Sequence, residues 1–101
     1  MLDGVCTEQA PCDVAPYATL VALTMRVVSD PRWTGRQPVL HEGTPPGIDG
    51  ICLGRYIRYA SRAPLCVVPH ELAHLLSGEQ AHGFRWRRAC YEIIPLMAAP
   101  E

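Results

Sequence analysis

Read as apolar and polar positions, the chain first acquires a period at Tyr17. Leu20, Leu23 and Val27, with Val21 and Val28 beside them, recur at the spacing of one helical face and predict an amphipathic helix over 17–29, stopped by Asp30-Pro31. Residues 33–37 carry no period and read as loop. Val39-Leu40-His41 predicts a short strand, and 42–50, punctuated by Gly43, Pro45, Pro46, Gly47 and Gly50, a turn-rich loop. Residues 51–53 and 56–60 predict two more strands, the second alternating Tyr56 and Arg58 with Ile57 and Tyr59. Apolar density then rises. Leu65-Cys66-Val67-Val68 runs into Pro69, a residue suited to a first helical position, and Leu72, Ala73, Leu75 and Leu76 continue a helix closed by Ser77-Gly78. A last helix is predicted over 84–97, its apolar stripe made by Trp86, Cys90, Ile93 and Met97 and bent or ended near Pro95. Residues 1–15 read as a flexible tail, and 16–101 as a single domain.

Composition narrows the setting. A chain of 101 residues supports one modest core, and its 49% hydrophobic content argues against wholesale disorder. The net charge of −1 draws the protein neither to nucleic acid nor to a membrane surface. All nine basic residues are Arg, which fits a GC-rich coding background. Cys6, Cys12, Cys52, Cys66 and Cys90 are odd in number and lack a C-x-x-C pair, so they read as reduced thiols rather than a disulfide framework. Asp3, Glu8 and Asp13 occupy the stretch where a signal peptide would be basic and then apolar, and the 17–28 stretch is too short and too polar to span a bilayer. The expectation is a cytoplasmic protein with no membrane partner.

Chemistry concentrates in His70-Glu71-Leu72-Ala73-His74. On a helix this H-E-x-x-H spacing sets two imidazoles on one face, where both can reach a zinc ion about 2.0–2.1 Å away. Glu71 is too poorly aimed to join that pair but stands beside a metal-bound water. Zinc brings such a water's pKa to about 7, and a neighbouring carboxylate can take its proton as the oxygen attacks a polarised carbonyl. A catalytic zinc site generally has three protein ligands. His82, eight residues after His74 and beyond the Gly78 break, is the preferred third ligand; Glu92, His41 and Glu79 are the other candidates.

The two His motifs together, His70-Glu71-Leu72-Ala73-His74 and His82-Gly83-Phe84-Arg85-Trp86, resemble the SprT-like zincin pattern. There H-E-x-x-H is followed by H-G-x-x-aromatic, and the final His is a zinc ligand. The run from Ile51-Cys52-Leu53 through Arg62 to Val67-Val68-Pro69-His70 is also similar to small zincin-like metallopeptidases of actinobacteria and their phages. The His74 to His82 spacing is shorter than is usual in the SprT group and two residues longer than in metzincins. The resemblance covers 51–90 and implies a minimal zincin-like α+β domain: an N-terminal helix, a small sheet of short strands, the H-E-x-x-H helix and a C-terminal helix. It implies a zinc peptidase acting on a peptide or protein substrate, with an edge strand from 51–60 able to pair with that substrate. Two other classes stay open, a zinc hydrolase acting on RNA and a noncatalytic zinc-stabilised interaction domain.

Several further residues have a functional and a plainer reading. Tyr56, Tyr59 and Tyr91 can each stabilise an oxyanion, but packing is the default for a phenol. Arg55, Arg58, Arg62, Arg85, Arg87 and Arg88 can form a basic face for nucleic acid, yet the acidic residues elsewhere favour a solvated surface. Cys6 or Cys12 can reach zinc only as a deprotonated thiolate with a defined path. Trp33 and Trp86 read as core or cleft-wall aromatics.

Overall fold

The computed structural model describes residues 13–98, so the expected tail lies outside them except at its end. There the boundary moves. Val14–Pro16 is a strand, β1, followed directly by helix α1 (Tyr17–Val28), and it pairs antiparallel with a second short strand at Arg62–Pro64. Ala15 faces Ala63 in that pair and both are buried, which is what binds the segment to the domain. Each strand has three residues and contains a proline, tolerated because a two-stranded ladder leaves one side of each strand unpaired.

Helix α1 forms where its period predicts, with Leu20, Thr24, Val27 and Val28 buried. Its end is tied down three ways. Asp30 accepts the backbone N–H of Arg32 at 2.8 Å and its guanidinium at 2.9 Å, contacts that hold this carboxyl near a pKa of about 2. Gln37 donates to the carbonyl of Val28 at 3.0 Å, and Arg26 to that of Met97 at 3.1 Å.

The main sheet has three strands, β2 (Val39–Glu42), β3 (Gly50–Leu53) and β4 (Tyr56–Tyr59), in the order β2-β4-β3. Strand β4 runs antiparallel to β3 across a turn containing Gly54 and parallel to β2. Its alternation comes out as read: Ile57 and Tyr59 are buried, Tyr56 and Arg58 exposed. Arg58 secures the far strand, donating to the carbonyls of Gly43 at 2.7 Å and Glu42 at 3.1 Å. Strand β3 is left at the sheet edge, packed against the next helix.

After β5 (Arg62–Pro64) come α2 (Val67–Ser77) and α3 (Phe84–Met97). Helix α2 starts before Pro69, which therefore occupies a later place in the first turn, where its missing N–H is an unpaired donor anyway. Gly78 takes the left-handed conformation at φ 74° and returns its N–H to the carbonyl of His74 at 3.0 Å, the expected stop. Helix α2 is buried on nearly every side, between β3, α1 and α3. Helix α3 turns Trp86, Ala89, Cys90, Ile93 and Leu96 inward and continues through Pro95, which lacks only the N–H directed at Tyr91. Leu20, Ile57, Leu72 and Ile93 are fully buried where these layers meet, each worth about 1.5–3 kcal/mol of apolar burial. The fold is a small α+β domain of three helices and two small sheets among the described residues. No helix among them is long and apolar enough to cross a membrane.

Candidate metal centre

One turn of α2 separates His70 from His74, and their rings lie 5.1 Å apart. The left-handed Gly78 reverses the chain, and the following loop brings the His82 ring to 4.7 Å from His70 and 5.0 Å from His74. One nitrogen from each of the three lies within 4.8 Å of the other two. Between His70 Nε2 and His82 Nε2 the distance is 3.1 Å, close to the roughly 3.3 Å expected between two ligands of a tetrahedral zinc. Three imidazoles, which bind as neutral donors, are thus close enough to hold a metal ion.

The other candidates fall away. His41 is exposed on β2, across the sheet from the edge that α2 adjoins. Glu92 is exposed on α3, 3.7 Å from Arg88. Neither belongs to the His cluster. Cys6 and Cys12 lie outside the described residues.

Glu79 is no ligand in this cluster but supports it from both of its ends. A carbonyl oxygen can only accept, so the 2.7 Å contact between His74 Nδ1 and the Glu79 carbonyl fixes the proton on Nδ1 and leaves the Nε2 lone pair for a metal. The carboxylate of Glu79 meanwhile accepts the backbone N–H of Trp86 at 3.2 Å, in the first turn of α3. Helix α3 begins after Gly83, which has no side chain to cap it, and Glu79 supplies that missing acceptor. Its signal in the sequence was an acidic residue just ahead of a helix whose N-cap is glycine.

Trp86 forms the wall behind the cluster. Only 2% exposed, its ring lies 5.0 Å from His70, 5.8 Å from His74 and 4.5 Å from His82, and its indole N–H donates to the His70 carbonyl at 3.2 Å.

Glu71 is buried beside the cluster, with Oε2 4.0 Å from His70 Nε2. Burial disfavours its charge and raises its pKa from 4.5 to about 7. Strand β3 starts against it: a Cβ on Gly50 would stand 3.1 Å from Glu71 Oε2 and 2.6 Å from Val67 Cγ2, so only glycine fits this close approach. Gly50, the last glycine of the stretch whose composition predicts a loop, is thus the first residue of a strand.

The phenols separate by exposure. Thr24 gives its hydroxyl proton to the Leu20 carbonyl at 2.8 Å, so Tyr59 donates its own to Thr24 Oγ1 at 2.8 Å and is committed to the core. Tyr56 and Tyr91 are exposed. Cys52, buried next to Gly50 and Ile51, has its thiol pushed up to about 11 by burial and by the charge of Glu71, which makes it a packing residue. Two of the six arginines considered as a basic face, Arg58 and Arg88, are engaged within the domain.

The chain matches no protein-family model, no curated protein and no solved structure.

Proposed function

We propose that this chain is a zinc-dependent peptidase of zincin-like architecture, with His70, His74 and His82 as ligands and Glu71 as general base. The observation that carries the reading is the convergence of three imidazoles beside a buried carboxylate 4.0 Å from one of them. A purely structural zinc site is closed by four protein ligands. Here the fourth member of the group is a carboxylate shifted toward neutrality by burial, suited to accepting and returning a proton.

Zinc, when bound, supplies a Lewis acid that acidifies water and polarises the scissile carbonyl. The residues do the rest. Glu71 takes a proton from the attacking water and delivers it to the departing amine, so one C–O bond forms, one C–N bond breaks and the carboxylate is regenerated. Glu79 holds His74 in the tautomer that presents Nε2. Trp86 keeps water from the back of the site. The edge strand β3, antiparallel to β4 and adjoining α2, offers unpaired backbone groups on which an extended peptide can lie across the cluster. The SprT-like resemblance of the two His motifs belongs to this proposal, as does a cytoplasmic setting.

Replacing Glu71 tests it. Glu71→Gln should keep one equivalent of zinc and lose peptide hydrolysis by a factor of about 100 or more. His82→Ala should lose zinc, and Glu92→Ala keep it. Unchanged biological activity in Glu71→Gln would favour a noncatalytic zinc domain; RNA cleavage without peptide cleavage would favour the hydrolase acting on RNA.

A further inference from the structure

We propose that the groove running from His74 past the end of α2 is a subsite for a carboxylate of the peptide substrate, with Arg36 as its recognition residue. This rests on the peptidase reading and adds a substrate class to it. The groove has a volume of about 600 Å3, within the roughly 300–1,000 Å3 of ordinary ligand sites. His74, one of the three clustered imidazoles, is among its lining residues. Thr34, Arg36, Ser77 and Gln80 are its polar lining residues, and each carries a side-chain donor. No Asp or Glu lines it among the described residues.

Arg36 is exposed beside this groove. Asp30, on the same loop, is taken by Arg32 at 2.9 Å, and among the described residues no carboxylate pairs with Arg36. The loop that presents it is firmly seated. The Arg36 carbonyl accepts the indole N–H of Trp33 at 3.2 Å, and Gly35 presses so closely on its neighbours that a Cβ would stand 2.6 Å from the Trp33 ring and 3.1 Å from Leu76 of α2. A guanidinium on a fixed backbone matches the planar, bidentate geometry of a carboxylate. A single cation is too little for a polyphosphate backbone, whose binding sums many such contacts.

The path of β3 says where the carboxylate sits. This strand starts at Gly50 against Glu71, and the turn that follows it puts Gly54 on the groove. A peptide antiparallel to β3 runs its N-terminal half over the groove, so an acidic side chain ahead of the scissile bond meets Arg36. A parallel peptide brings its own C-terminal carboxylate there instead.

Calorimetric titration with short peptide hydroxamates, which anchor on zinc without being cleaved, decides the matter. Four probes suffice: one neutral, one with a Glu side chain and an amidated terminus, one with a free C-terminal carboxylate, and one with a Lys side chain. On the zinc-loaded protein a carboxylate probe should bind about fivefold tighter than the neutral one, and the Lys probe weakest. Whichever carboxylate probe gains identifies the source. The ratio should fall to near one in Arg36→Ala, survive in part in Arg36→Lys, and shrink with added salt. Equal binding of all four probes, or a ratio that persists in Arg36→Ala, would overturn the subsite while leaving the metal centre standing. If no probe binds the zinc-loaded protein, the neutral one included, the peptidase reading falls and the subsite with it.

Discussion

Burial governs how Glu71 behaves before any cation is bound. Its pKa rises from 4.5 in the unfolded chain to about 7 in the fold, so folding favours the protonated carboxyl. The stability this gives is complete below about pH 4.5 and is lost as pH rises through 7. Over that window the metal-free protein should lose on the order of 3 kcal/mol relative to Glu71→Gln, whose amide does not titrate. Denaturant midpoints of both proteins, followed in chelator from pH 4.5 to 8, measure the difference; a flat difference would mean that Glu71 is ionised throughout. At this scale much was legible. His70, Glu71 and His74 lie within one helical turn or so, and local spacing alone sets their relation. The approach of Gly50 to Glu71 was not legible, because it joins residues from different elements and the only trace is a glycine among other glycines.

Loop 78–83 is the element that turns a two-His helix into a three-His site, and Glu79 is its clasp. Removing the side chain should free the start of α3 while leaving the backbone carbonyl that orients His74. Glu79→Ala is therefore expected to destabilise the protein by about 1 kcal/mol, the usual value of a cap. Because His82 lies between the clasp and the helix it caps, zinc affinity should also fall by about tenfold. Glu79→Gln keeps the Oε1 acceptor and should recover most of both. Zinc competition against a chromophoric chelator reads the affinity, and failure of Gln to rescue would mean that charge rather than acceptor geometry matters. Helices were legible almost to their ends: α1 stops at Val28 beside Asp30-Pro31, and α3 runs from Phe84 to Met97 as its stripe implies. Strands β1 and β5 were not. Val14-Ala15-Pro16 and Arg62-Ala63-Pro64 are too short to alternate, and only their pairing across the intervening chain makes them strands.

At the scale of the molecule, the sequence carries no mark of the strand order that puts β4 in the middle and β3 at the edge, because each strand is short and β2 reaches its parallel partner only after β3 intervenes. That order leaves α2 between the sheet edge and α3, with the metal cluster and the core sharing its two faces. Leu72 and Ala73 are fully buried within the same helical turn as His70 and His74, and Trp86 touches all three imidazoles while sitting 2% exposed in the core. Metal binding should therefore stabilise the whole fold rather than a loop. His82 arrives from beyond α2, so the three imidazoles come together only in the folded chain. Zinc at 100 times its dissociation constant then adds about 2.7 kcal/mol, which for a domain of this size raises the thermal midpoint by roughly 10–20 °C. Chelator should reverse the rise. Glu71→Gln, which removes no ligand, should keep the full shift, whereas His82→Ala should lose most of it. A shift in His82→Ala as large as in the unaltered protein would place the third ligand elsewhere and undo the assignment of this loop.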